Sequence, residues 1–178
     1  MNKSKKGLIS LIIIIAVLVL AFLFIPAGKL QIGNNVIYGD YYDTAYDAYL
    51  HNDESVVIKK EIATVDVTDN CAVWLAETDE NEMYVSLMDI KDGKYCSFGN
   101  AYCYHYDTSD FKSANISLDS DFQAKNDIIK WDILPESVYE KSNLKDNAQC
   151  SAVKIKARDV DGNEVDSLFV YQVEEKNQ

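Results

Sequence analysis

Between Lys6 and Lys29 the chain carries no charged residue, and this constrains it more than any other feature. Within that stretch Leu8 to Ile25 is apolar except for Ser10. The 22 uncharged residues 7–28 would span about 33 Å as a helix. A bilayer hydrocarbon core is about 30 Å thick. Inside lipid every backbone N–H and C=O must find an internal partner, so such a run is expected to be a helix. Lys3, Lys5 and Lys6 precede it without an acid. A basic flank of this kind stays on the cytoplasmic side. The expected layout is a cytoplasmic flank at 1–6, a single-pass signal-anchor helix at 7–28, a spacer at 29–38 and an extracytoplasmic domain at 39–178. The expected place is the cell membrane, with the C-terminal domain outside the cytoplasm.

Two other readings of the same segment compete with the anchor. A cleaved signal peptide has an apolar region of only about 7–15 residues, shorter than this one, although Ile25-Pro26-Ala27 is a tolerable cleavage site. Lys5-Lys6-Gly7 followed by Leu8-Ile9-Ser10-Leu11 resembles a type IV prepilin processing site. That resemblance implies a minor pilin-like subunit. The family's acidic residue, five positions after the Gly, would fall at Ile12, and Pro26 and Gly28 interrupt the helix that a pilin continues.

Beyond the anchor the chain is acidic. The whole sequence of 178 residues has 17 Lys and Arg against 29 Asp and Glu. Without the three N-terminal lysines the balance is 14 to 29, a net charge of −15. No nucleic acid is expected as a partner, because phosphate contacts need a cationic face. With 48% apolar residues the outer part has enough to build a core.

The expected fold class is α+β: one helix packed on a twisted antiparallel sheet, a meander that could curl into a partial barrel. Asp40 is a candidate helix cap, and Tyr42, Ala45, Tyr46 and Tyr49 follow helical spacing to an end near His51-Asn52. Strands are expected at 61–68, 71–78, 82–90, 94–98, 101–106, 127–134, 151–157 and 165–173. Asp92-Gly93 is a strong type I′ turn signal. Residues 107–126 are polar and are expected to form a long loop.

Cys71, Cys96, Cys103 and Cys150 all follow the apolar run. In an oxidising compartment four cysteines allow two disulfides. Gly99-Asn100 reads as a two-residue hairpin turn, which would set Cys96 against Cys103 within bridging distance. Cys71 and Cys150 would then be the second pair. In the same register Tyr95, Tyr102, Tyr104 and Tyr106 share one sheet face, a candidate binding platform for a surface protein or a glycan.

Motifs of catalysis are sparse. His51 and His105 are the only near-neutral acid–bases and neither sits in a nucleophile frame. No Gly-rich phosphate loop occurs. Asp159, Asp161 and Asn163 match the start of an EF-hand loop, but Glu164 stands where Gly is required and Val170 where Glu is required. Asp119 and Asp121, with Asp107 and Asp110, could hold a hard cation only loosely. No metal site and no cofactor are expected. The function expected is binding or scaffolding at the cell surface. A surface hydrolase using acidic residues with a divalent metal is the first alternative, and the pilin-like subunit is the second.

Overall fold

The computed structural model describes residues 29–32, 35–52, 56–111, 115–124 and 126–176. The expected membrane span lies outside them. Among the described residues no helix is long and apolar enough to cross a membrane.

The domain is mostly antiparallel β-structure with two short helices. A two-stranded ribbon, β1 (Lys29–Ile32) and β2 (Asn35–Gly39), comes first. Helix α1 (Ala45–Asn52) follows. Four strands then form the first sheet in chain order: β3 (Ile58–Thr68), β4 (Cys71–Thr78), β5 (Met83–Lys91) and β6 (Lys94–Tyr104). The second sheet contains β7 (Ser120–Gln123), β8 (Asp127–Pro135), β9 (Cys150–Arg158) and β10 (Glu164–Glu175), in the order β7-β8-β10-β9. Helix α2 (Glu136–Tyr139) opens the connection from β8 to β9, which skips the place later filled by β10.

One core lies between the two sheets. Val73, Leu75, Val85 and Leu87 meet Ile129, Trp131, Ile133 and Phe169 across it. The outer face of the first sheet is covered by α1, whose Ala45, Ala48 and Tyr49 pack on Trp74, Tyr84 and Met88. The outer face of the second is covered by the β8–β9 connection and the segment before β7. There Leu144 is buried with Leu134, Leu168 and Val170, and Ile116 and Leu118 pack against them. Strand β4 is therefore buried on both faces along its whole length. Its near-continuous apolar sequence follows from that, since alternation appears only where one face meets water.

Two sheets, not one sheet or a partial barrel, is the main departure from the expected fold. Outside residues 94–106 and the short β7, the strands and turns lie close to where the sequence puts them. Asp92 and Gly93 both adopt positive φ, 54° and 73°, in the tight β5–β6 hairpin. The expected loop at 107–126 contains a 3-10 turn at Thr108–Asp110 and the short strand β7.

The cap of α1 also differs. Thr44, not Asp40, starts the helix: its Oγ1 accepts the Asp47 N–H at 3.0 Å and donates to the Asp47 carboxylate at 2.7 Å. Tyr42 is not free to be helical, because its backbone exchanges two 2.8 Å hydrogen bonds with Tyr95 on β6. Tyr49 and Ala45 are buried as the spacing implies, while Tyr46 stays 37% exposed.

Candidate functional site

The Gly99-Asn100 hairpin does not form. Lys94–Tyr104 is one strand, and the glycine serves a bulge within it. Between the pairs Met88↔Ser97 and Ser86↔Ala101, β5 contributes only Leu87 while β6 contributes residues 98–100. Gly99 has φ 71°, and its N–H bonds to Ser97 Oγ at 3.2 Å. Positive φ suits glycine in a bulge as well as in a turn, so the local signal was real but its use was different.

The expected cysteine pairs fall with that hairpin. Cys96 stands opposite Asp89 and Cys103 opposite Tyr84. Cys71 is also opposite Asp89, from the other side, which leaves it two strand spacings, roughly 10 Å, from Cys96 and beyond bridging range. Cys150 packs on the outer face of the second sheet, while Cys71 lies in the inter-sheet core. All four cysteines carry thiols. Burial pushes the Cys71 thiol up to about 11, the Thr68 hydrogen bond notwithstanding.

The tyrosine platform is divided as well. Tyr95 packs on the α1 side of the first sheet. Tyr104 and Tyr106 belong to the inter-sheet core. Tyr106 is buried and shares a 3.0 Å hydrogen bond with Ser167. Only Tyr102, 41% exposed, remains available at the surface.

Tyr102 marks a place where the edge strands β6 and β7 of the two sheets come together with aromatic lining. On β6, the first half of the edge is covered by the Tyr42–Tyr95 bridge. Past the bulge, β6 faces β7, the edge strand of the second sheet. A cleft of about 420 Å³ lies between them, lined by Asn100, Tyr102, Asp121, Phe122 and Gln123. Small-ligand sites are typically about 300–1,000 Å³. The Tyr102 ring meets Phe122 at 5.3 Å and Trp131 at 5.5 Å between centroids, both edge-to-face. Its hydroxyl donates to the Asp121 carbonyl at 2.8 Å. The ring is thus fixed by its partners before any ligand arrives. Asp121 also accepts from Gln123 Nε2 at 3.2 Å. Behind the cleft, Tyr104 Oη and Trp131 Nε1 are buried without a protein hydrogen-bond partner.

Other side chains singled out in the sequence have structural employment. His51 Nδ1 lies 2.8 Å from the Asp47 carbonyl, and its ring stacks on Tyr42. Asp159 accepts the N–H groups of Asp161 at 3.1 Å and Asn163 at 2.8 Å, which makes the β9–β10 turn rather than a calcium loop. Cys103 and His105 both approach Glu82. The Cys103 thiol donates to Oε2 at 2.8 Å, and His105 Nε2 lies 3.6 Å from Oε1. Burial, then the hydrogen bond to Glu82 and its charge, push the Cys103 thiol up to about 12. A nucleophilic cysteine requires the opposite shift. Among the described residues no three His, Cys, Asp or Glu side chains converge so as to hold a metal ion.

Sequence reading missed Phe122 and Gln123 because β7 lay in a stretch read as loop, and it gave Asn100 to a turn and Asp121 to a loose cation cluster rather than to this cleft. The apolar Phe122 between two polar residues was the available signal. No family model matches the chain, and neither the curated proteins nor the solved structures compared with it give a match.

Proposed function

We propose that this chain is a single-pass membrane protein whose extracytoplasmic domain binds a glycan in the cleft between β6 and β7. The cleft carries the reading: one exposed aromatic ring held by its neighbours, with Asn100, Asp121 and Gln123 in the lining and no cation there among the described residues. An aromatic face packs well on the apolar face of a sugar ring, and amides and carboxylates match hydroxyl groups in both donor and acceptor roles. The absence of a cation from the lining and the net −15 of the outer chain disfavour anionic ligands. The apolar run at 7–28 and its basic flank support the anchor and its orientation.

Two measurements test this reading. In intact cells, a membrane-impermeant amine reagent is expected to label lysines of the domain, and labelling only after lysis would sink the topology. In detergent, the full chain is titrated with fluorescent cello-, malto- and chito-hexaose. Tyr102→Ala is expected to weaken binding roughly tenfold or more, while Tyr102→Phe keeps the ring and most of the affinity. Binding unaffected by Tyr102→Ala would move the site elsewhere. Capture of a protein instead, lost in the same variant, would keep the cleft and replace the glycan.

A further inference from the structure

The β7–β8 ladder begins at Ser120↔Trp131. Asp119 lies just before the ladder; carried one position further, the same register would set Asp119 opposite Asp132, whose carboxyl feels the Asp119 charge. Opposed residues of antiparallel strands share a face, with Cβ atoms roughly 5 Å apart, and like charges there repel. Asp132 is on the outer face of the second sheet, because Trp131 beside it on β8 points into the core.

Their surroundings offer little relief. Asp132 is half-buried, and its carboxylate accepts the Ile133 N–H at 2.7 Å. Asp119 is exposed and accepts from Ser117 Oγ at 2.7 Å. On β8 the nearest cation along the same face is Lys130, which is paired with Glu174 at 2.9 Å and stands opposite a further acid, Asp121. From β10 the residue opposite Asp132 is Val170, which brings no charge. The covering segment contributes the apolar Ile116 and Leu118. From the first sheet the neutral phenols of Tyr104 and Tyr106 feel the Asp132 charge.

We propose that Asp119 and Asp132 form an acid latch on β7: with Asp132 protonated β7 zips fully onto β8, and when Asp132 is ionised its repulsion with Asp119 frays the first residues of β7. Burial pushes the Asp132 carboxyl up to about 6; the Ile133 N–H opposes this and the Asp119 charge adds to it. The latch therefore closes in mildly acidic solution and loosens toward neutrality. An acid with a raised folded pKa contributes least stability once it is ionised. Since β7 supplies Asp121, Phe122 and Gln123 to the cleft wall, acidification firms that wall. The latch rests on strand pairing alone and stands whatever the cleft binds.

Hydrogen exchange of the full chain in detergent tests it, with rates corrected for the intrinsic effect of pH. Protection of the amides at Ser120–Gln123 is expected to fall roughly tenfold between about pH 5 and about pH 7.5. Protection in β9 is expected to stay constant. Asp132→Asn should hold high protection at both values, and the exposed-site variant Asp119→Asn should narrow the fall. Equal wild-type protection at the two values would overturn the latch. So would an undiminished fall in Asp119→Asn, a near-isosteric change at an exposed position.

Discussion

The two sheets meet along two seams that are closed by different physics. At the β3/β9 seam the closure is ionic. Glu77, its side chain 5% exposed, lies 2.8 Å from Lys59 Nζ and 3.0 Å from Arg158 Nε. Glu164 lies 2.9 Å from Lys156 and 3.8 Å from Lys60. At the β6/β7 seam it is aromatic, with Phe122 stacked on Trp131 at 5.4 Å and Tyr102 set edge-on to both. Each seam has a hollow of similar size, about 470 Å³ beside Lys60, Lys154 and Lys156 and about 420 Å³ beside Tyr102. Size does not separate them as sites, but side-chain occupancy does. The lysines of the first hollow are held by Glu136 and Glu164, whereas the second presents a ring and amides to solvent. The ionic seam spends its charged side chains on each other, whereas the aromatic seam leaves part of the Tyr102 ring in solvent.

Removing the centre of the aromatic seam should cost most. Trp131→Ala is expected to destabilise the domain by about 3–5 kcal/mol, measured as a lower denaturation midpoint with unchanged slope. A loss below about 1 kcal/mol would mean that the aromatic seam contributes little to closure.

The ionic seam comes next. Glu77→Gln leaves Lys59 and Arg158 facing a neutral group in a nearly buried position, and is expected to cost about 2–4 kcal/mol near pH 7. Burial alone would raise the Glu77 carboxyl; the hydrogen bonds and charges of Lys59 and Arg158 outweigh it and hold the group below the usual carboxylate range. The folded form thus binds its proton less readily than the unfolded one. The stabilisation is complete above the ordinary carboxylate pKa and is lost as pH falls through the lowered one. The gap between wild type and Glu77→Gln should therefore close in acid unfolding curves. A gap that persists at about pH 2 would mean that shape, not charge, is what Glu77 supplies.

The smallest effect belongs to the outer rung of the same seam. Lys156 is 63% exposed, and an ion pair so open to water contributes little to stability. Lys156→Ala should shift the thermal midpoint by a degree or two at most, and less in high salt. A larger shift would show that the ionic seam works as a network rather than through Glu77.

The outcome divides along the range of the interactions involved. Strand positions were legible because alternation and turn residues are local. The fully buried β4 announced itself as a near-continuous apolar run, and Asp92-Gly93 marked the β5–β6 hairpin. Gly99 shows the limit: one backbone preference fits both a turn and a bulge, and the choice depends on what β5 offers across the ladder. The Cys96–Cys103 pair and the four-tyrosine face both rested on that choice.

What the sequence determined by itself is therefore the acidic, β-rich character of the outer chain, most of its strands and tight turns, and a long uncharged apolar segment before them. Each follows from charge count, apolar periodicity or a residue's own backbone freedom. Only the tertiary structure decided that the strands divide into two sheets, that Tyr102 is the well-exposed member of its stripe, and that Asp119 comes to the start of the β7–β8 ladder, near Asp132. Those outcomes depend on which distant strands bury one another, and burial between residues far apart in the chain leaves no local trace.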